Sequence, residues 1–330
     1  MQDRFGRTID YLRISVTDRC NERCLYCMPA EGVQKSLHRD ILTYDEIVRV
    51  ARAAAGLGVS KIRITGGEPL VRKNLADLVR EIHGISGIDE ISLTTNGTLL
   101  AGEMKALMAA GLHSVNISLD TADEKLYETI TRGGQLSAAL QGIDAAMALE
   151  RQGSGAFCKL DCVLLGLPGQ KLTDVASFAR DRKIHVRFIE LMPIGTGKEW
   201  NRPFMKEADA KAVIEAEFGP LIHTEEKLGN GPAEYYLVEG FAGKIGFISA
   251  MSHKFCGGCN RVRLTSQGFF KTCLQYHEGR DLRKLLRGGC TDSELAEAMR
   301  SAILDKPKEH AFYAEKKADE ETAPMNAIGG

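Results

Sequence analysis

The sequence predicts an α/β protein, a partial (β/α)6 barrel of parallel strands closed by a smaller C-terminal α+β region with an antiparallel sheet. Three features carry this expectation. Strand-like and helix-like segments alternate from residue 11 to about 192, the pattern of a parallel sheet with crossover helices. Within nearly every strand-like segment one face is polar and the other apolar. After about residue 193 the alternation gives way to a loop, a helix and several short β-like runs, so the expected division is 1–192 and 193–330.

The strands are expected at 11–17, 61–65, 91–95, 114–119, 157–164 and 185–190. Between them lie helical patterns with start signals. Thr43 and Glu46 form a capping box ahead of Ile47, Val50 and Leu57, and Gly58 ends that helix. Asn74 precedes Leu75, Leu78, Val79 and Ile82, and Thr121 with Glu124 repeats the box. A closed TIM-like barrel has eight such units, and two of them are missing. Beyond 193, residues 204–218 are helical and 228–233 (LGNGPA) form a turn-rich linker. The runs YYLV, KIGFIS, RVRLT and GFFKTC predict the small antiparallel sheet. Helices follow at 278–287 and 291–304, the second boxed by Thr291 and Glu294, and 306–324 is charged and expected to be loosely ordered.

Strand parity says what the barrel is for. Parallel strands covered by helices are usually apolar on both faces. Here Arg13, Ser15 and Thr17 share a face, as do Arg63 and Thr65; Ser92, Thr94 and Asn96; Asn116, Ser118 and Asp120; Lys159 and Asp161; and Arg187 stands alone. With helices outside, that face points inward and lines a wet cavity carrying Arg13, Arg63, Lys159 and Arg187. Four inward cations suit a polyanionic small molecule. The chain has no G-x4-G-K-[ST] phosphate loop, since Gly197-Lys198 is followed by glutamate, so a phosphorylated ligand must be held by side chains and metal.

Lys and Arg total 43 against 44 Asp and Glu, which leaves no basic footprint for nucleic acid. No apolar stretch is long enough to span a membrane, and the polar start MQDRFGRTID predicts no secretory signal. The nine cysteines are clustered, which in a cytoplasmic protein argues for metal over disulfides. One triad is Cys20-x3-Cys24-x2-Cys27 and another is Cys256-x2-Cys259-x13-Cys273. Three thiolates leave one metal position open, the mark of a site that does chemistry. Structural zinc wants a fourth ligand, and the nearest histidine, His38, is eleven residues past Cys27.

The first triad, with Tyr26 before its last cysteine, resembles the radical S-adenosylmethionine motif, and Gly66-Gly67-Glu68-Pro69 after the second strand fits the same superfamily. The run from Phe255 to Arg263 with Cys273-Leu274 narrows the resemblance to the GTP 3′,8-cyclase family of molybdenum cofactor biosynthesis. The segments 18–29, 63–69, 93–97, 116–120 and 187–190 and the tail Ile328-Gly329-Gly330 agree, so the likeness covers about residues 6–274 and the terminus.

The resemblance implies two 4Fe–4S clusters, on Cys20, Cys24 and Cys27 and on Cys256, Cys259 and Cys273. It implies S-adenosylmethionine at Tyr26, Gly67, Ser118 and Met192. It implies GTP at Arg13, Arg63, Thr94 and Lys159, with Arg261, Val262 and Arg263 beside the second cluster. In that family a deoxyadenosyl radical takes hydrogen from C3′ of GTP, and C3′ then bonds to C8 of guanine. Arg261, Arg263, Gly329 and Gly330 are the implied catalytic elements. An external one-electron donor and a downstream cyclic pyranopterin monophosphate synthase are the implied partners, and the oligomeric state, a homodimer included, stays open. Rival readings are another radical S-adenosylmethionine enzyme of the peptide-maturase type and a non-catalytic zinc-stapled binding protein.

One departure stands out: Asp161 replaces the family's usual asparagine and brings a carboxylate beside Lys159. Cys158, Cys162 and Cys290 match no ligand spacing and are expected to be structural thiols. No histidine is given a role, and Lys306, Lys308, Lys316 and Lys317 are expected on a solvated face.

Overall fold

The strands form where apolar and polar residues alternate: β1 Tyr11–Ser15, β2 Lys61–Thr65, β3 Glu90–Thr95, β4 Ser114–Ser118, β5 Phe157–Leu164 and β6 His185–Glu190, then β7 Ile222–Thr224, β8 Glu234–Leu237, β9 Ile245–Ile248, β10 Arg261–Leu264, β11 Phe269–Lys271 and β12 Gly279–Asp281. The helices are α1 Tyr44–Gly56, α2 Leu75–His83, α3 Leu100–Ala109, α4 Glu124–Thr131, α5 Leu136–Arg151, α6 Leu172–Asp181, α7 Glu207–Phe218, α8 Leu282–Arg287, α9 Asp292–Leu304 and α10 Met325–Ile328. The computed structural model describes residues 1–33, 36–151, 157–200, 204–312 and 320–329.

All strands join one sheet, in the order β12-β11-β10-β1-β2-β3-β4-β5-β6-β9-β8-β7. The α/β partial barrel is as expected, and so are antiparallel strands in the C-terminal region. Those strands do not form a separate sheet. β10 pairs parallel with β1 and β9 pairs parallel with β6, so the C-terminal region widens the barrel wall from six parallel strands to eight. The short runs gave no hint of this, because pairing direction depends on the long connections between strands and not on the strands themselves.

The helix-facing sides of the strands and the inner faces of the helices make one apolar core. Leu12, Ile62, Leu93, Ile117, Leu160 and Val186 are all completely buried in it. Phe188 and Phe247 extend it across the β6–β9 pair with ring centroids 5.8 Å apart. Cys158 and Cys162 are buried in the same layer as structural thiols.

Two caps are as expected: Thr43 and Glu46 close a box on α1, and Thr291 and Glu294 close one on α9. Two differ. Asn74 sits in the left-handed region at φ 60°, and its side chain caps nothing. Thr121 is displaced by Asp123, whose carboxylate accepts from Leu126 N–H while the Thr121 hydroxyl accepts from Asp123 N–H. Aspartate supplies the stronger acceptor at a helix start. No helix among the described residues is long and apolar enough to cross a membrane.

Leu12→Ala would open a cavity at a fully buried position under the β1–β2–β10 wall. Chemical denaturation should show a loss of about 2–5 kcal/mol with native-like far-ultraviolet dichroism retained.

Candidate active site

Register, more than any single residue, builds the site. Arg13 on β1 is the register partner of Arg263 on β10 and of Arg63 on β2, so three arginines stand abreast on neighbouring strands. Farther along the sheet, Thr94, Asn116 and Lys159 form a second row on β3, β4 and β5. All of them line one cavity. Arg63 donates to the Tyr11 hydroxyl and, at 3.1 Å, to Thr94 Oγ1. Burial, with the charges of Arg263 and Arg63, holds Arg13 well below its ordinary pKa. Burial and Arg261 bring Arg263 down to about 10. Burial, then Arg187 and Arg63, push Lys159 down to about 8. This wall repels itself and favours an anion between its rows.

Arg187 is different. It makes a bidentate pair with Asp161 at 2.7 Å through Nε and Nη2, and Asn116 donates to the same carboxylate at 3.2 Å. Burial alone would lower Arg187, but Asp161 outweighs it and raises its pKa. The unusual Asp161 therefore neutralises one of the four expected cations.

The first triad lies in the loop after β1, at the carboxyl ends of the strands. Cys20, Cys24 and Cys27 all reach the cavity. The second strand's glycines exist for this loop: Gly67 N–H donates to Thr17 O at 2.7 Å and Glu68 N–H to Arg19 O at 2.8 Å. A Cβ at Gly67 would collide with the Arg19 carbonyl. Three carboxylates gather here. Glu22 accepts from the Tyr127 hydroxyl at 2.8 Å, Asp120 from Tyr26 at 2.7 Å, and Glu68 from Asn96 N–H at 2.7 Å. Burial pushes Glu22 and Glu68 up to about 7 and Asp120 to about 6. Burial also pushes Cys20 and Cys27 up to about 12.

The second triad lies at the opposite end. Cys259 precedes β10, and the antiparallel β10–β11 pair brings Cys273 back to the same level. Cations gather here instead. Lys306 is 3% exposed and donates to Arg261 O at 2.9 Å and to Thr272 O. Burial would raise the Cys259 thiol, yet Lys306 and Arg261 hold it at about 7. Arg7, also buried, donates to the carbonyls of Cys256 at 3.0 Å, Lys308 at 2.8 Å and Pro307 at 2.7 Å. His310 N–H points at Cys256 Sγ at 3.5 Å.

Of the residues named from sequence, Tyr26, Gly67, Ser118 and Met192 line the cavity, as do Arg13, Arg63, Thr94 and Lys159. Arg261 and Arg263 line it too, with Arg261 over the Phe255 ring at 4.9 Å. Val262 does not. It is completely buried on the helix side opposite Leu12, because alternation on β10 turns it outward between two inward arginines. Gly329 is buried, its carbonyl accepting from Arg263, and Gly330 lies outside the described residues. Lys306 is a correction, since its solvated setting was expected and its buried one is observed. Lys308 is exposed, and Lys316 and Lys317 lie outside the described residues. The segment expected to be loose holds Lys306, His310 and Glu321, all buried. Arg7, Lys306 and His310 carry no local signal, because only the packing of distant segments buries them.

Family profiles match in two adjoining blocks, the Radical SAM superfamily over residues 14–181 and Molybdenum Cofactor Synthesis C over 184–312. Over the full length of both chains, the sequence is 48% identical to the GTP 3′,8-cyclase of Pelotomaculum thermopropionicum and 44% identical to that of Moorella thermoacetica. The chain belongs to the GTP 3′,8-cyclase family. Among solved structures, Streptococcus suis SuiB bound to the precursor peptide SuiA matches with a TM-score of 0.60 at 15% identity, covering 92% of this chain and 72% of that one, a likeness of fold.

Membership of the radical S-adenosylmethionine superfamily implies a 4Fe–4S cluster and S-adenosylmethionine, and the cyclase family implies a second cluster. The thiols fit. All nine cysteines are free, and six of them face one cavity as two separate triads. Among the described residues no three His, Cys, Asp or Glu side chains converge tightly enough for a single ion. A cluster spreads its thiolates over different irons, so three thiols facing one cavity suit it without meeting at a single ion.

Asp161→Ala would leave the buried Arg187 guanidinium without its counter-charge. Urea unfolding should show a loss of about 3–5 kcal/mol. Asp161→Asn, which keeps a hydrogen-bond acceptor there, should lose less.

Proposed function

We propose that this cavity cyclises GTP to 3′,8-cyclo-7,8-dihydro-GTP, an early step of molybdenum cofactor biosynthesis. The row Arg263–Arg13–Arg63 facing Lys159, with a cysteine triad at each end of the same cavity, supports this reading most directly. Cys20, Cys24 and Cys27 would hold one 4Fe–4S cluster, and Cys256, Cys259 and Cys273 the other. When bound, the first cluster supplies the electron that splits S-adenosylmethionine and yields the hydrogen-abstracting deoxyadenosyl radical.

The residues of the chain do the positioning. Tyr26, Gly67, Ser118 and Met192 hold S-adenosylmethionine. Glu22, Glu68 and Asp120 are held toward their protonated forms by burial, and a sulfonium cation beside them would favour their ionised forms and pair with them. Arg13, Arg63, Thr94 and Lys159 hold the triphosphate and ribose, and Arg261 and Arg263 hold the nucleotide beside the second triad, with Val262 contributing backbone alone. Gly329 lies along the nucleotide and excludes water, and a catalytic part for the terminal Gly330 rests on the family likeness alone. The work is the alignment of C3′ with the adenosyl carbon, where a small displacement is enough to slow the reaction. Residues 1–192 carry the radical chemistry and 193–330 the second cluster. An external one-electron donor feeds the first, and a cyclic pyranopterin monophosphate synthase consumes the product. Free thiols at both triads suit a reducing, cytoplasmic setting.

Anaerobic incubation of the reconstituted protein with GTP, S-adenosylmethionine and dithionite should yield 5′-deoxyadenosine and the cyclised nucleotide, with about eight irons per chain. Deoxyadenosine formed only with some other substrate, such as a peptide, would overturn the assignment. Arg261→Ala and Arg263→Ala should each lower cyclisation about a hundredfold while leaving iron content near that of the parent. Lys159 sits at about 8, and a bound polyanion favours its protonated form. GTP binding therefore takes up a proton above that pH, and affinity should weaken as pH rises through about 8. Isothermal titration across pH 7–9.5 should show this limb in the parent and its loss in Lys159→Met.

A further inference from the structure

Glu321 lies outside the cavity, yet each of its polar atoms is engaged. Its carboxylate pairs with Lys271 and stands 3.5 Å from His277 Nδ1, and its other oxygen accepts from Ala323 N–H at 2.8 Å. Its own N–H donates to Gln275 O at 2.6 Å, and its carbonyl accepts from Lys198 at 3.0 Å. Glu321 and Lys271 are 2% and 1% exposed. Two opposite charges taken this far out of water are weak grounds for stability but strong grounds for a fixed position, because no other placement compensates either charge.

The position matters because of what lies on either side. Lys271 and Gln275 flank Cys273, two residues away in each direction. Glu320 adds a bridge to Tyr276. Further on, Asn326 donates to Asp18 O at 2.8 Å, two residues before Cys20, and Gly329 O accepts from Arg263. Residues 320–329 thus run as a strut from the loop of the second triad to the loop of the first.

We propose that Glu321 is a positioning residue for the reaction. Its ion pair with Lys271 fixes the start of the strut and so delivers Gly329 to Arg263. Because the seat is the loop that carries Cys273, docking of the tail and filling of the second triad favour each other, and by reciprocity each strengthens the other by the same factor. This inference rests on the cyclase reading for its catalytic arm alone.

The test uses full-length, cluster-loaded protein and the variants Glu321→Gln and Glu321→Ala. Carboxypeptidase release of the terminal residues, followed by mass spectrometry, should accelerate about tenfold or more in Glu321→Ala, and less in Glu321→Gln. Turnover to cyclised nucleotide should fall about a hundredfold, with GTP affinity changed less than about threefold and deoxyadenosine still formed. Lys198→Ala, at an exposed position, should speed release to a smaller degree and guards against a misfolded Glu321 variant. In the parent, release should be slower after cluster loading than before. Unchanged tail release in the variants, or GTP affinity falling in step with turnover, would overturn the positioning role. Equal release before and after loading would overturn the coupling. Neither digestion arm needs substrate, so they stand even if GTP proves not to be turned over.

Discussion

Mutual repulsion among buried arginines is the constraint on which the rest of this architecture depends. Arg263, Arg13 and Arg63 occupy one level of three adjacent strands, and desolvation with like charge depresses both Arg13 and Arg263. Such an arrangement requires β10 to run parallel to β1 and in register with it, although β10 comes from far along the chain. The C-terminal region is therefore built into the barrel wall. The wall is held open by neutral acceptors, the Tyr11 and Thr94 hydroxyls and the Gly329 carbonyl, none of which cancels its charge. A folded state that crowds these like charges together is stabilised further by an anion inside.

Much of this was legible in the sequence because strand periodicity is a two-state signal. Alternation put Arg13, Arg63, Asn116, Lys159 and Arg187 on one face, and a face is all that is needed to foresee a polar cavity. The same rule turns the Val262 side chain outward between two inward arginines and leaves only its backbone near the cavity. Cysteine spacing was equally informative, since thiols close in sequence must converge in space. Features that depend on long-range packing were not legible. Nothing near Lys306 or Arg7 distinguishes them from surface charges; Lys306 is buried against Arg261 and Thr272, and Arg7 against Cys256, Pro307 and Lys308, all distant in the chain. The parallel pairing of β9 and β10 was hidden for the same reason.

The two triads differ in their surroundings as much as in their location. The first is set among buried carboxylates that hold their protons unusually well, and its thiols are pushed up with them. Iron held by this triad would displace those protons, so its loading would release acid. The second has Lys306 and Arg261 close by, and Cys259 gives up its proton far more readily. One chain thus offers two three-thiol sites with opposite electrostatic settings, and the strut from Glu321 to Gly329 ties their loops together.

The segregation of carboxylates to one end of the barrel and guanidinium groups to the other has a consequence for arrival. It sets up a lengthwise potential gradient inside a low-dielectric tube, where field lines are confined and reach beyond contact distance. A highly charged nucleotide drifting toward the opening experiences a torque before it touches any wall. The reversed pose would set phosphates beside the carboxyl groups and away from the arginines, so charge favours one orientation on entry and the final contacts hold it.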